Sequence, residues 1–450
     1  MTLEEKDPFS TEGSGLLRAP VMAQIETTQG CNHHCGYCYN PFRKSPARRS
    51  LAANQLLPIL ERLEDLGILA VTLTGGEPLT NVPALQAAVK WATTRGMLLS
   101  INTNASLLDS ALAEVLVEHK VFLLISLPCS TPAVFRQVTA SENYGRVIAN
   151  IKHVVRLGGM FLLNMVVGDI NVQHVRRTAL FAVNELGAPR SAFRATPVSP
   201  PPYIDRISCF CLSDEGFKEY YRQIFSLMVE DKIEVGTLGT IPFCSMPEFC
   251  RSAPLMLLGC TAGRGTIVIG AEGDIRPCSQ AAFSIGNIFN VAPTGLRGLL
   301  DAQLQPWRSH KYLPKDCRAC AEAWRCGGGC RMFAHHCTGF FDGRDPRMSN
   351  PLLASIPSVM ASASQVPPFR DLSGRSFRVH PHVRWRRERD DCWLVFNGAY
   401  YDFLTMPGMQ LFETYFIRNT SLPCSPSSRL AAVVRYFVAR GYASEYPSHA

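Results

Sequence analysis

Across 450 residues no apolar run approaches the roughly 20 residues that a membrane-spanning helix needs. The first residues, Met-Thr-Leu-Glu-Glu-Lys-Asp, are polar and acidic and lack the basic-then-apolar pattern of a secretory signal. A cytoplasmic chain with no membrane partner is therefore expected, and in that compartment disulfides are rare. Excess charge is also scarce: 45 Lys and Arg against 37 Asp and Glu leave a net +8. Much of it sits in two runs, Arg43–Arg49 (RKSPARR) and Arg384–Arg389 (RWRRER), read here as solvated faces. The extended basic surface with interleaved aromatics that nucleic-acid binding requires is missing, so no nucleic-acid partner is expected. An acidic peptide partner suits the excess equally well.

What the chain does have is cysteine, 17 residues of it, and without disulfides that number points to metal. Three of them, Cys31, Cys35 and Cys38, stand in Cys-Asn-His-His-Cys-Gly-Tyr-Cys, a C-x3-C-x2-C spacing that brings three thiolates to one side of a short loop. Three thiolates leave one iron of a 4Fe–4S cube without a protein ligand, and an open iron implies an exogenous molecule and therefore chemistry. The alternative is a zinc knuckle, for which His33 or His34 would have to reach from inside the loop.

The surroundings read as a β-α-β unit. Val21–Thr27 is a strand delivering the loop, Asn54–Gly67 a helix with Leu56, Leu57, Leu60, Leu63 and Leu66 at helical spacing, and Leu69–Thr74 a second strand. That strand runs into Gly75-Gly76-Glu77-Pro78, where paired glycines let backbone approach a small ligand. Standing alone, such a segment is an ordinary turn. Beside the cysteine triplet, it resembles the radical S-adenosylmethionine (radical SAM) superfamily. The resemblance implies that the cofactor's amino and carboxylate groups chelate the open iron and that the backbone of Gly75, Gly76 and Glu77 holds its methionyl amino group.

Further strands follow at Leu98–Asn102, leading to Thr103 and Asn104, at Val121–Leu127, Phe161–Val167 and, more weakly, Arg190–Thr196, with helices such as Val147–Leu157 and Val175–Leu186 between. Six alternating strands argue an α/β chain with a partial (βα)6 TIM-like barrel, its functional groups at the C-terminal strand ends. By resemblance Tyr37 backs the adenine, Ser126 and Arg136 meet the ribose or carboxylate, Val198 flanks the adenine, and Asn104 joins this cofactor-binding set.

Nine cysteines lie from Cys244 to Cys337. Cys260, Gly273 and Cys278 form C-x12-G-x4-C, and Cys317, Cys320, Cys326 and Cys330 form C-x2-C-x5-C-x3-C. Between the first pair, Thr266–Ile269 and Asp274–Arg276 read as a β-hairpin. Alone, these cysteines would suit a zinc ribbon. After the upstream core they resemble the SPASM extension, which carries two auxiliary iron–sulfur clusters. The resemblance assigns Cys260, Cys278 and Cys330 to the inner cluster, with Cys250 or Cys244 as remaining ligand, and Cys317, Cys320 and Cys326 to the outer one. The family's closing cysteine, expected after Asp345-Pro346, is absent; Cys337 is one substitute, an open or non-cysteine site another. One catalytic and one or two auxiliary 4Fe–4S clusters are thus expected. An auxiliary cluster can accept the electron released when a substrate radical closes a new bond.

Asn350–Phe369, rich in Pro, Ser and Ala, reads as a linker. Beyond it Phe377–Val383, Cys392–Asn397 and Ala399–Leu404 read as strands, the last two joined by a turn at Asn397-Gly398. Helices follow at Gln410–Arg418, near Ser425–Ser428 and at Leu430–Gly441, where Leu430, Val433, Val434, Phe437 and Val438 form an apolar stripe. This order resembles the PqqD-like winged helix-turn-helix that captures leaders of ribosomally made, modified peptides. Arg429, Arg435 and Arg440 are thin for phosphate contacts, and strand addition on Tyr400–Leu404 suits a peptide better.

The domains expected are an N-terminal arm (1–20), the barrel (21–235), a Cys-rich SPASM domain (236–348), a linker (349–375) and the winged helix (376–450). Together they imply a maturase that forms a thioether, carbon–carbon or ether cross-link in a precursor peptide, drawing electrons from flavodoxin or ferredoxin. The rivals are a sulfatase-maturating enzyme, which tends to place an Asp where Ser279 follows Cys278, a peptide epimerase, and a redox-sensing DNA-binding regulator, which would leave Gly-Gly-Glu-Pro without a role. Cys129, Cys209, Cys211, Cys392 and Cys424 are read as small buried hydrophobes.

Overall fold

The computed structural model describes residues 17–40, 48–199, 210–251, 253–309, 311–349, 375–389, 392–397, 401–422, 428–439 and 442–446. Cys209, Cys424, Tyr400, Arg440, most of Arg43–Arg49, the linker 350–374 and most of Ser425–Ser428 lie outside them. The chain divides into two compact units, Met22–Ser364 and Met1–Val21 with Gln365–Ala450.

In the first unit six βα steps run in order: β1 (Met22–Thr28), α1 (Ala53–Asp65), β2 (Ala70–Gly75), α2 (Val82–Arg95), β3 (Leu98–Thr103), α3 (Ser110–Glu118), β4 (Phe122–Ser126), α4 (Pro132–Thr139), α5 (Tyr144–Arg156), β5 (Phe161–Val167), α6 (Val175–Asn184), β6 (Phe193–Pro197) and α7 (Asp214–Phe225). Helix α1 forms because Leu56, Ile59, Leu60 and Leu63 recur on one face, and all four are buried. Strands β3 to β5 alternate. Leu99, Ile101, Leu123, Ile125, Leu163 and Met165 are buried in one core with the helices, while Ser100, Asn102, Ser126 and Asn164 face the other side and are half-buried.

The cysteine-rich part does not stand apart from the barrel as the boundary at 235 implied. After the short α8 (Glu248–Arg251), β7 (Thr266–Ile269) pairs in parallel with β1, Met22 opposite Thr266 and Ile25 opposite Ile269. With β8 (Asp274–Arg276) and β9 (Gly286–Asn287) this gives one nine-stranded sheet, ordered β6-β5-β4-β3-β2-β1-β7-β8-β9. The physical reason is the open edge of a partial barrel: β1 would otherwise present an unpaired row of N–H and C=O groups. Helices α9 (Leu296–Arg308), α10 (Ala323–Cys326) and α11 (Arg331–Thr338) complete the unit.

The second unit holds β10 (Ser376–Val379), β11 (Arg384–Arg389), β12 (Cys392–Phe396), β13 (Tyr401–Thr405), α12 (Met406–Phe412), α13 (Ser428–Ala439) and β14 (Ala443–Tyr446). Strands β11, β12 and β13 make an antiparallel sheet with β13 at its end, and β10 pairs with β14. Two expectations change. The run RWRRER is a strand with one solvated face, Trp385 and Arg387 exposed, but Arg386 on its other face is buried, ion-paired with Glu388, and donates to the carbonyls of Ala19 (2.6 Å) and Pro20 (3.3 Å). Residues 17–20, read as part of an arm before the barrel, and Val21, read as the first residue of the barrel, thus belong to this unit. In α13 Leu430, Val433, Val434 and Phe437 are buried as the stripe requires, but Val438 is exposed because it turns past the packed face.

Candidate active site

Strand β1 ends at Thr28, and the loop that follows is stitched on both sides. The Gly76 amide donates to the Thr28 carbonyl at 2.6 Å and the Glu77 amide to the Gly30 carbonyl at 2.8 Å. On the other flank the amides of His34 and Gly36 donate to the carbonyls of Thr139 and Val138, in the last turn of α4. Between these anchors Cys31, Cys35 and Cys38 are half-buried, and the Cys38 amide donates to the Cys35 carbonyl. Among the described residues no three His, Cys, Asp or Glu side chains gather tightly enough for a single metal ion. His33 turns away into the protein, its ring edge-on to Phe135 at 5.9 Å and Nε2 3.3 Å from Asn143, and burial pushes its pKa down to about 4. Tyr37 hydrogen-bonds with Cys35; burial first, then the three cysteines, push its phenol well up.

The glycines are dictated by crowding. Gly75 has φ +124°, and a Cβ at Gly76 would stand 1.8 Å from the Gly30 carbonyl oxygen. The Glu77 side chain is buried and accepts from the Leu79 amide (3.2 Å), the Thr103 hydroxyl (2.6 Å) and the Asn104 amide (2.7 Å). Burial outweighs those donors and pushes its pKa up to about 7. Its carboxylate therefore ties the end of β2 to the end of β3, and what it offers a ligand is backbone. Asn104 continues the tie: its Nδ2 donates to Asn32 Oδ1 (2.9 Å), while Asn32 donates to Ser106 (2.8 Å). Asn32 and Ser106 escaped sequence reading, because a single Asn inside a cysteine motif carries no pattern of its own.

The polar inner face of the sheet leads away from this loop. Ser126 ends β4 opposite Asn164 of β5, and Asn164 accepts from Thr196 of β6 at 2.7 Å. Gln24 of β1 has its buried Oε1 without a partner among the described residues. Val198, just past β6, donates its amide to Val167 and lines a cavity with Phe217, Tyr221, Phe333 and Arg347. Arg136 lies on α4, exposed, with its guanidinium 3.3 Å from Glu142.

The second cysteine territory reaches this loop directly. Tyr39, one residue past Cys38, hydrogen-bonds with Ser279, next to Cys278, and burial above all pushes its phenol up to about 12. Glu26 of β1 pairs with the fully buried Arg276 of β8, which also meets Asp274 at 2.9 Å. Gln280 donates to the Ser199 carbonyl at 3.3 Å. Cys278 and Cys330 lie within electrostatic reach of Cys260, and burial lifts their thiols to about 12 and about 11. The Gln280 and Ala281 amides donate to the Cys278 sulfur, and the Cys330 amide donates to Asp345 at 2.8 Å. Cys326 and Cys330 part company because Gly327, Gly328 and Gly329, all with φ between +70° and +83°, turn the chain between them. Cys250 is fully buried beside Tyr220 and Tyr221, and burial alone raises its thiol. Cys337 on α11 is exposed, and the charges that reach it are Asp345 and Arg347. Cys129 and Cys392 are buried and Cys211 half-buried.

Residues 25–182 match the model of the radical SAM superfamily. These residues form a radical SAM domain. The PqqA peptide cyclase of Granulibacter bethesdensis is 24 % identical over 349 residues, 73 % of this chain and 87 % of that protein. The AdoMet-dependent heme synthase of Methanosarcina barkeri is 22 % identical over 348 residues, 74 % of this chain and 97 % of that protein. Among solved structures, Streptococcus suis SuiB bound to S-adenosylmethionine superposes with a TM-score of 0.60 at 20 % identity, covering 75 % of this chain and 79 % of SuiB. SuiB bound to its precursor peptide SuiA gives 0.59 at 20 % identity, covering 71 % and 74 %. These likenesses establish the fold. The loop of the radical SAM domain also fits a cluster open at one iron: three thiol donors, and beside them a glycine backbone where a Cβ would find no room. No helix among the described residues is long and apolar enough to cross a membrane.

Proposed function

We propose that the chain is a radical SAM enzyme that modifies a ribosomally synthesised precursor peptide, closing a thioether, carbon–carbon or ether cross-link. The observation that carries this reading is the joining of two cysteine territories: β7 extends the barrel sheet, and Tyr39 bonds to Ser279. Cys31, Cys35 and Cys38 hold the catalytic cluster, the Gly75–Glu77 backbone receives the cofactor's methionyl amino group, and Tyr37, Asn104, Ser126 and Val198 line the rest. Arg136 would have to leave Glu142 to take part. Loaded, the clusters supply an electron to cleave S-adenosylmethionine into a hydrogen-abstracting 5′-deoxyadenosyl radical and an acceptor for the electron a new bond releases. An external one-electron donor such as flavodoxin or ferredoxin completes the system.

The chain's own residues orient and enclose. The half-buried polar row Ser126, Asn164 and Thr196 offers hydrogen bonds to a bound molecule, and His33 packs the loop with its ring turned to Phe135 and Asn143. Where the sulfatase-maturating pattern places an Asp, Ser279 is held by Tyr39, which weighs against that rival. SuiB was solved with a precursor peptide, and the cyclase relative is named for one, which supports a peptide substrate here. The second unit is the leader-binding module of this reading, with strand addition on β13. Tyr436 and Tyr442 both bond to Asp402 at 2.7 Å, bringing α13 beside that strand as the other wall of a groove. The test is incubation of reconstituted enzyme, dithionite and S-adenosylmethionine with candidate precursor peptides read from short open reading frames beside its gene. A product lighter by one hydrogen pair supports a cross-link; an unchanged mass with abundant 5′-deoxyadenosine contradicts it.

A further inference from the structure

Cys317, Cys320 and Cys326 come from one segment. Cys317 closes the turn Lys315–Cys317, its carbonyl accepts from the Cys320 amide, and Cys326 ends α10. A fourth cysteine reaches them from far upstream. Cys244 sits in the turn Phe243–Ser245, and that turn is docked on the Cys326 end of α10. The Phe243 amide donates to the Cys326 sulfur, together with the amides of Gly328 and Gly329. The Arg325 guanidinium lies over the Phe243 ring at 5.9 Å. Behind the turn, the buried pair Asp345–Arg347 anchors the chain, Arg347 donating to the Thr240 carbonyl at 2.9 Å. Cys244 is thereby held within electrostatic reach of Cys317, Cys320 and Cys326.

The other candidates stand elsewhere. Cys250 is buried against two tyrosines, Cys337 faces Asp345 and Arg347, and Cys330 is turned by three left-handed glycines toward Cys260 and Cys278. We propose that Cys244 is the fourth sulfur ligand of the outer auxiliary cluster, completing the set Cys317, Cys320 and Cys326. This reassigns a residue that the resemblance had offered, beside Cys250, to the inner cluster. It rests on reading the second cysteine territory as an iron–sulfur domain.

Full-length protein with Cys31, Cys35 and Cys38 replaced by Ala isolates the auxiliary sites for the test. It is alkylated with iodoacetamide before and after loading with iron and sulfide, and each cysteine is quantified by mass spectrometry. Cys244, exposed in the apoprotein, is expected to become protected in step with the likewise exposed Cys320, while exposed Cys337 stays labelled. In the same background Cys244→Ala should lose up to one cluster's worth, about four iron, or give the EPR signal of a 3Fe–4S remnant. Cys337→Ala should keep its iron. Loaded protein whose Cys244 labels as fast as in the apoprotein, or a Cys244→Ala variant with full iron and an unchanged spectrum, would overturn the proposal. Zinc in place of iron on the four sulfurs would overturn instead the cluster reading beneath it.

Discussion

The Thr103 hydroxyl donates to the Glu77 carboxylate at 2.6 Å, inside protein on all sides. This bond ties the end of β2 to the end of β3; burial, opposed by this bond and the backbone donors, raises the Glu77 pKa to about 7. In the unfolded chain the group titrates near 4.5. The native state therefore binds the extra proton between those values, and stability falls as pH rises through that window. The full cost above the folded pKa is about 3 kcal/mol. Urea midpoints of the apoprotein from about pH 5 to 8 should decline in the wild type and stay nearly flat in Glu77→Gln. Parallel curves would show that Glu77 is not the titrating group.

Gly76→Ala tests the stitching of the cysteine loop. Its Cβ would press on backbone, the Gly30 carbonyl oxygen, so no side chain can yield to relieve it. The expected cost is about 1–3 kcal/mol in the urea midpoint, with weakened S-adenosylmethionine binding by equilibrium dialysis. Wild-type stability and binding together would show that the loop adapts freely.

Tyr39 and Ser279 provide a double-mutant cycle across the two cysteine territories. Tyr39→Phe and Ser279→Ala each remove one partner of the same hydrogen bond. Their effects on stability should fail to add by about 0.5–1.5 kcal/mol. Full additivity would dissolve this link between the loop and the hairpin.

Removing residues 376–450 tests the leader-binding reading of the second unit. Tethering a leader at millimolar effective concentration implies that the truncated enzyme has an apparent KM for full precursor raised by roughly tenfold or more. Uncoupled 5′-deoxyadenosine release should survive. Phe403→Pro, which removes a donor from β13, should act in the same direction. Equal efficiency of the truncated and intact enzymes, or tighter binding of duplex DNA than of any leader by the protein, would contradict it.

The barrel strands were legible because period-2 alternation in Leu98–Thr103 and Phe161–Val167 follows directly from one helix-packed face and one polar face. The cysteine loop stood out because three thiolates at short spacing have few other uses. Long-range closure was not. Nothing local in Thr266–Ile269 says that it will pair with β1, since that pairing answers an open edge more than 200 residues away. Nor does RWRRER announce a strand, because the burial of Arg386 depends on carbonyls of Ala19 and Pro20. The partner of Cys244 is hidden for the same reason: about 70 residues separate it from Cys317, and only the docked Phe243 turn brings them together.

The central claim is that Cys31, Cys35 and Cys38 make this chain a radical enzyme. Its most direct test is 5′-deoxyadenosine release by anaerobically reconstituted protein given dithionite and S-adenosylmethionine. The wild type should release it, and the triple Cys31, Cys35 and Cys38→Ala variant should release none while keeping its auxiliary iron. Undiminished release by the triple variant would contradict the account.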